Sequence, residues 1–364
     1  MSTTVDVAVV GGGPIGLAVA WRCAQRGLRV AVHDPAPGSG ASSVAAGMLA
    51  PVAEAYFGEE VLTRLLVEAA ARWPDFTAAL SAETGLTFGY RTEGTLIVAL
   101  TADDAREAER LRVYQEGLGL PITRMVPTEL REREPALSPR IRGGAYAPTD
   151  HQVDPRRLVD ALRSALRQAR VPIIPQLVTD LSTVDAQTVV VAAGCGSAQL
   201  TGLPVRPVKG QVVRLRAPNG PPEFRHVIRG YVDGQQVYLV PRTDGEVVVG
   251  ATVEERGDMT VTAGAVRDLL EAATELVPAI TEYELVEARA GLRPATPDNA
   301  PVLGPLPGRP NVIVATGHYR HGIVLTPLTA ELITEMIMTG ELNPMLEPFR
   351  PDRFPLHEVV STCN

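Results

Sequence analysis

The run Gly11-Gly12-Gly13-Pro14-Ile15-Gly16 has the residue types and spacing to hold a phosphate. Gly11 allows a tight turn, Gly13 bares its backbone to a bulky anion, and Gly16 lets a helix pack closely on a strand. Pro14 and Ile15 complete the run between these glycines, and the helix that follows would turn its free N–H groups and partial positive charge toward the anion. Asp34, followed by Pro35, stands at the end of the next strand-like run. An acid there can accept hydrogen bonds from ribose hydroxyls. A glycine-rich turn without a ligand is the competing reading. The position between a strand and a helix, with an acid beyond, favours a dinucleotide. The motif does not separate NAD from FAD.

The stretch Ala36 to Pro51 makes that distinction. A NAD site would normally continue into another crossover helix. Here small residues follow instead, among them Ala41, Ser42, Ala46 and Gly47, and then Met48. Backbone of this kind can lie against a flat, extended group. Val44 to Pro51 is too apolar for a flexible linker. FAD is therefore expected, held without a covalent bond.

Other candidates lie downstream. Arg293 sits in a small, apolar context, Ala290-Gly291-Leu292, at a predicted strand end. A buried guanidinium needs an anion, and its planar fork matches a carboxylate with two hydrogen bonds. That carboxylate can belong to a substrate or to an internal acid. Tyr238 can wall a pocket and donate its hydroxyl, or it can be a half-buried strand tyrosine. His318 and His321 share a loop, but no third ligand clusters with them, so no metal is expected. Cys195 invites comparison with a covalent flavin link; packing as a small apolar residue is the expected role.

These residues need a scaffold. Val5 to Val10 is nearly all apolar, as a strand buried on both faces of a parallel sheet would be. Leu17 to Gly27 reads as a helix closed by glycine, and Leu28 to His33 as a second strand. Helical spacing covers Glu59 to Ala82 and Ala102 to Gly119, and Pro155 to Arg170 reads as a helix with Asp154 as N-cap. Thr188 to Ala193 and Val312 to Ala315 read as buried strands, and Ile323 to Met338 as a helix. Gln211 to Arg216, Gln236 to Val240 and Glu246 to Val249 suit an antiparallel sheet. The expected fold class is α/β plus antiparallel sheet. A Rossmann-like FAD-binding domain would be interleaved with a substrate domain dominated by an antiparallel β-sheet. Residues 1–85, 151–205 and 293–364 fall to the first, and 86–150 and 206–292 to the second.

GGGPIG, then Asp34-Pro35, then ASSVAAGML resembles the glycine oxidase and D-amino-acid oxidase family of flavoenzymes. The resemblance continues in order through Val189 to Ser197, Val208 to Gln211, Tyr238 to Arg242, Val249 to Thr252, Ala290 to Asp298 and Ala315 to Ile323. Bacterial glycine oxidases that serve thiamine biosynthesis are nearest within it. The resemblance implies that Arg293 holds the substrate carboxylate, that Tyr238 shares it, and that Arg320 lines the active site. It also implies that His318, Tyr319, Arg320, His321, Gly322, Ile323 and Val324 pass beneath the flavin ring. N–H donors at the pyrimidine end would favour the reduced state. Val178 and Gly194 join the implied cofactor contacts.

The implied reaction is oxidative deamination of glycine, sarcosine or small D-amino acids, with hydride passing from Cα to flavin N5. Imine or glyoxylate, ammonia and hydrogen peroxide would result, with molecular oxygen as acceptor and the imine available for thiazole synthesis. Binding and orientation do most of the work, and no side chain must act as a general base. The chain departs from the family in carrying Asp34 for Glu, Val253 for Met, and no His near Gln236. A D-amino-acid dehydrogenase or sarcosine oxidase-like enzyme is the alternative of the same class. A non-catalytic flavin-binding subunit is one of another class.

Composition narrows the field further. The chain has 364 residues, 45% hydrophobic and 21% charged, as in an ordinary globular protein. A net charge of −8 speaks against nucleic-acid binding. Cys23, Cys195 and Cys363 are too scattered for a disulfide framework, so a reducing compartment is expected. Met1-Ser2-Thr3-Thr4 lacks the basic region of a signal peptide, and no run of about 18 apolar residues offers a membrane span. The cytoplasm is the expected location. The sequence leaves a homo-oligomer open.

Overall fold

The computed structural model describes residues 5–354; Met1 to Thr4 and Cys363 lie outside them. In chain order its strands are β1 (Val5–Val10), β2 (Val30–His33), β3 (Met48–Leu49), β4 (Thr95–Ala99), β5 (Thr123–Met125), β6 (Gly143–Ala147), β7 (His151–Gln152) and β8 (Ile173–Ile174). They continue as β9 (Ala186–Val191), β10 (Arg206–Arg216), β11 (Val227–Val232), β12 (Gln235–Pro241), β13 (Glu246–Gly250), β14 (Glu284–Ala295), β15 (Val302–Leu306) and β16 (Arg309–Thr316). The α-helices are α1 (Pro14–Gln25), α2 (Glu60–Ala71), α3 (Trp73–Thr84), α4 (Ala102–Gly117), α5 (Pro127–Arg133), α6 (Pro155–Gln168), α7 (Ser197–Thr201), α8 (Ala263–Leu276) and α9 (Thr326–Thr339).

Two sheets organise these elements. The first runs β15-β16-β9-β1-β2-β8, parallel from β16 to β8, with β15 antiparallel at one edge. The second runs β14-β10-β13-β12-β11-β4-β6-β5 and is antiparallel except where β11 meets β4. Sequence segments alternate between them. Residues 5–33, 173–191 and 302–316 supply the first sheet, and 95–147 and 206–295 the second. β3 and β7 pair with each other.

Burial follows period in both sheets. α1 packs against α6 and α9, and Leu17, Trp21, Leu162 and Ile333 are fully buried in that core. On β13, Val247 and Val249 join the core under α8, whereas Val248 points the other way, into a cluster with Val44, Ala46, Val212 and Val240. One face of the antiparallel sheet is thus buried by a helix and the other by the small-residue run after Asp34.

Several boundaries differ from expectation. Glu59 to Ala82 is two helices, α2 and α3, broken around Arg72. Pro74 lacks the N–H that a continuous helix would need there. α1 starts at Pro14, with Gly13 as N-cap, because a proline with its fixed φ suits a first helical position. β2 starts at Val30 rather than Leu28, and α9 at Thr326 rather than Ile323. Asp154 caps α6 as expected, its Oδ1 accepting from Arg156 N–H at 2.9 Å and Arg157 N–H at 3.3 Å. Among the described residues no helix is long and apolar enough to cross a membrane.

Candidate active site

A cavity of about 1070 Å³ lies between the sheets. The glycine run forms one end. Gly11 has φ +113°, and a Cβ there would strike the Ala192 carbonyl. A Cβ on Gly16 would strike the Gly11 carbonyl, so this glycine sets helix–strand packing and does not reach the cavity wall. At Gly13 a Cβ would meet nothing within 4 Å, and the N-terminus of α1 carries no side-chain cap and no acid in its first turn. Bare backbone and unopposed N–H groups therefore face the cavity, the arrangement an anion needs.

Asp34 is more committed than its sequence position suggests. Its Oδ2 accepts from Gly12 N–H at 2.6 Å and its Oδ1 from Ala36 N–H at 2.7 Å. A carboxylate has about four acceptor positions, so it can fasten the loop and still face a hydroxyl across the cavity.

The small-residue run forms a side wall. Gly47 has φ +82°, and a Cβ there would strike the Val153 carbonyl. The Ala46 carbonyl accepts from the guanidinium of buried Arg242, whose Nη1 donates to Gln152 Oε1 at 2.8 Å. Burial pushes Arg242 down to about 10. Arg242 braces the run from behind, a role that sequence reasoning missed; the one signal was a charge ending an apolar strand.

The loop 317–325 forms another wall. Gly317 and Tyr319 both have positive φ, and Tyr319 N–H donates to the Pro294 carbonyl at 2.9 Å. Trp73 Nε1 donates to the Val324 carbonyl at 3.0 Å. His318 Nε2 lies 3.2 Å from Thr329 Oγ1. Burial pushes both His318 and His321 down to about 3, and the Arg320 and Arg229 charges add to this at His321. Both rings are neutral near pH 7. Among the described residues, no group of three or more His, Cys, Asp or Glu is placed to hold a metal ion.

Arg293 lies in β14, two residues before its end, above Gly210 of β10; a Cβ on Gly210 would collide with the guanidinium. Nη1 donates to the carbonyls of Thr252 at 3.1 Å and Lys209 at 3.3 Å. Among the described residues no carboxylate pairs with it. Burial pushes the Arg293 guanidinium down from its ordinary value. The hydroxyl of Tyr238 packs over Gly250. Burial raises the Tyr238 phenol, and the charges of Arg293, Arg320, Arg214 and Arg229 oppose that rise. The phenol thus keeps its proton and can donate.

Two further residues of the site were not found from sequence. Arg320 Nη2 lies 3.1 Å from Glu54 Oε2, and Glu54 Oε1 pairs with Arg229 Nη1. Glu54 and Arg229 were each a lone charge inside an apolar run, the signal that could have flagged them. Cys195 is half-buried on the wall, Sγ 3.8 Å from the Leu292 carbonyl, and burial pushes its thiol up to about 11. Val253 and Met259 lie on the loop after β13, both mostly exposed and both facing the cavity.

The model of the FAD dependent oxidoreductase (DAO) family matches residues 6–336. The chain belongs to this family. It is 35% identical to the glycine oxidase of Geobacillus kaustophilus, over 96% of this chain and 97% of that one. The crystal structure of glycine oxidase from Geobacillus kaustophilus matches with a TM-score of 0.89 and 34% identity, covering 96% of this chain and 99% of the other. The bifunctional protein ThiO/ThiG of Synechocystis sp. is 35% identical over 97% of this chain, which spans 55% of that protein's length.

As an FAD-dependent oxidoreductase, the chain gathers its sequence-predicted residues into one cavity. Gly11, Gly13, Pro14, Ile15, Asp34 and Pro35 lie on its wall, as do Ala41, Ser42, Ala46, Gly47 and Met48. Val178, Gly194, Tyr238, Arg293 and His318 through Val324 complete it. Gly16 alone of the predicted set stands behind the wall.

Proposed function

We propose that the chain oxidises small amino acids, with glycine, sarcosine and D-alanine as substrates and molecular oxygen as the final acceptor. FAD, when bound, supplies the acceptor for a hydride from the substrate Cα and passes the electrons on to oxygen as hydrogen peroxide. The N-terminus of α1, with Gly11, Gly13, Pro14 and Ile15, would hold its pyrophosphate, and Asp34 a ribose hydroxyl. The runs 41–48 and 318–324, with Val178 and Gly194, would hold the remainder.

The observation that carries this reading is Arg293: a half-buried guanidinium with no acid partner among the described residues, facing a cavity beside a protonated Tyr238. Such a group calls for a carboxylate from outside the chain. Arg293 and Tyr238 would clamp it and so fix Cα, while the neutral histidines add no competing charge. Orientation supplies most of the acceleration. The imine released from glycine hydrolyses to glyoxylate and ammonia. Likeness to ThiO/ThiG supports a further role for that imine in making the thiamine thiazole.

The test is a substrate panel followed by peroxide release. Glycine, sarcosine and D-alanine should turn over, and L-alanine should not. Turnover only with an artificial dye acceptor would point to a dehydrogenase. No turnover with oxygen or dye would overturn the reading.

A further inference from the structure

Arg229, Glu54 and Arg320 form a line of alternating charge on the cavity wall. The side chains of Glu54 and Arg229 are 9% and 8% exposed, that of Arg320 39%. Arg229 is held on its other edge by Gln236, whose Oε1 accepts from Nη2 at 3.0 Å. One carboxylate thus faces two guanidiniums, and with Arg293 the cavity holds three. The Arg320 charge is felt at both Arg293 and Tyr238, so the line shares the space in which Arg293 meets its ligand.

Glu54 is also rigidly presented. Asp150 accepts from Val52 N–H and Ala53 N–H, each at 2.9 Å, and Glu54 N–H donates to the Ala50 carbonyl at 3.0 Å. A tethered, oriented carboxylate competes with any dissolved one at high effective concentration. It also repels a second negative charge.

We propose that Glu54 occupies, with its own carboxylate, an anion subsite formed by Arg229 and Arg320, and so restricts the cavity to substrates bearing a single carboxylate. This rests on the reading of Arg293 as the anchor for that carboxylate. Removing the Glu54 carboxylate exposes the pair of arginines to a second anionic group on the substrate, such as the distal carboxylate of iminodiacetate or D-aspartate. It also leaves buried Arg229 without an anion, which destabilises the fold until another carboxylate takes the place.

The experiment compares the holoenzyme with its Glu54→Ala and Glu54→Gln variants, the second keeping side-chain volume if the first folds poorly. The ratio of kcat/KM for iminodiacetate to that for glycine should rise by roughly tenfold or more in the variants, mainly through KM for iminodiacetate. Acetate should raise the Tm of a variant well beyond any rise it causes in the parent. Glycine turnover with an unshifted ratio and no added acetate effect overturns the subsite. A parent that oxidises neither glycine nor sarcosine, alongside acetate-stabilised variants, instead overturns the proposed function and supports the subsite.

Discussion

Arg293→Ala removes a guanidinium that spends only Nη1 on protein carbonyls and keeps its other N–H groups for the cavity. If those groups fork onto a substrate carboxylate, the lost pair is worth about 2–5 kcal/mol. That corresponds to roughly 30- to several-thousand-fold in affinity. The loss should fall on apparent affinity for glycine and sarcosine, and much less on an amine without a carboxylate. Lysine should rescue only in part, because a point charge cannot reproduce the fork. Stability separates this account from its rival. A buried internal ion pair broken on one side costs about 3–5 kcal/mol. Arg293 has no such partner among the described residues, and burial already disfavours its charge. The variant should therefore keep or gain Tm while retaining its flavin. Steady-state peroxide assays over a glycine series, with thermal unfolding of the same samples, measure both. Full affinity for glycine, or a Tm loss of ion-pair size, would refute the reasoning and make Arg320 the next candidate anchor.

Gly210→Ala should mimic that defect, because its Cβ would collide with the guanidinium; unchanged glycine kinetics would mean that Arg293 does not depend on this close approach. Acid precipitation should release all the yellow colour into the supernatant, whereas colour in the pellet would reveal a covalent link and reopen the question of Cys195. His318 and His321 are held near 3 in the fold against an ordinary value of 6.5. The unfolded chain then binds protons first, so their contribution is present above about 6.5 and is lost as pH falls below it. Glutamine at both positions should flatten the acid side of the Tm–pH profile. Asp150 has the opposite sign: its carboxyl is pushed up to about 7 from 3.8, so stability declines as pH rises between those values. The Tm of Asp150→Asn relative to the parent should climb over that window, and a constant difference would contradict it.

Much of this site could be read from the chain because local backbone demands leave local marks. The phosphate-facing end needs glycines at fixed offsets, a strand before and a helix after, and all are contiguous in Val5 to His33. The run Ala41 to Met48 announced itself by side-chain size. Period-two alternation marked β12 and β13, where Val247 and Val249 face one side and Val248 the other. What stayed hidden depends on pairing between distant segments. Glu54 and Arg229 meet only when the turn after the small-residue run is laid against β11. Arg242 finds the Ala46 carbonyl only when the antiparallel sheet closes on that run. The helix break at Arg72 was masked because both halves keep apolar spacing across it. Asp34 looked free for a ribose, yet the turn at Gly12 and Ala36 takes both of its oxygens as acceptors.

The central claim is that this cavity brings a small amino acid to FAD. Mixing the purified holoenzyme anaerobically with glycine or sarcosine while recording the visible spectrum tests it most directly. The account predicts that the yellow flavin absorption bleaches with saturating dependence on substrate and returns, with hydrogen peroxide, when air is readmitted. An oxidised spectrum that persists at saturating glycine, sarcosine and D-alanine would contradict it.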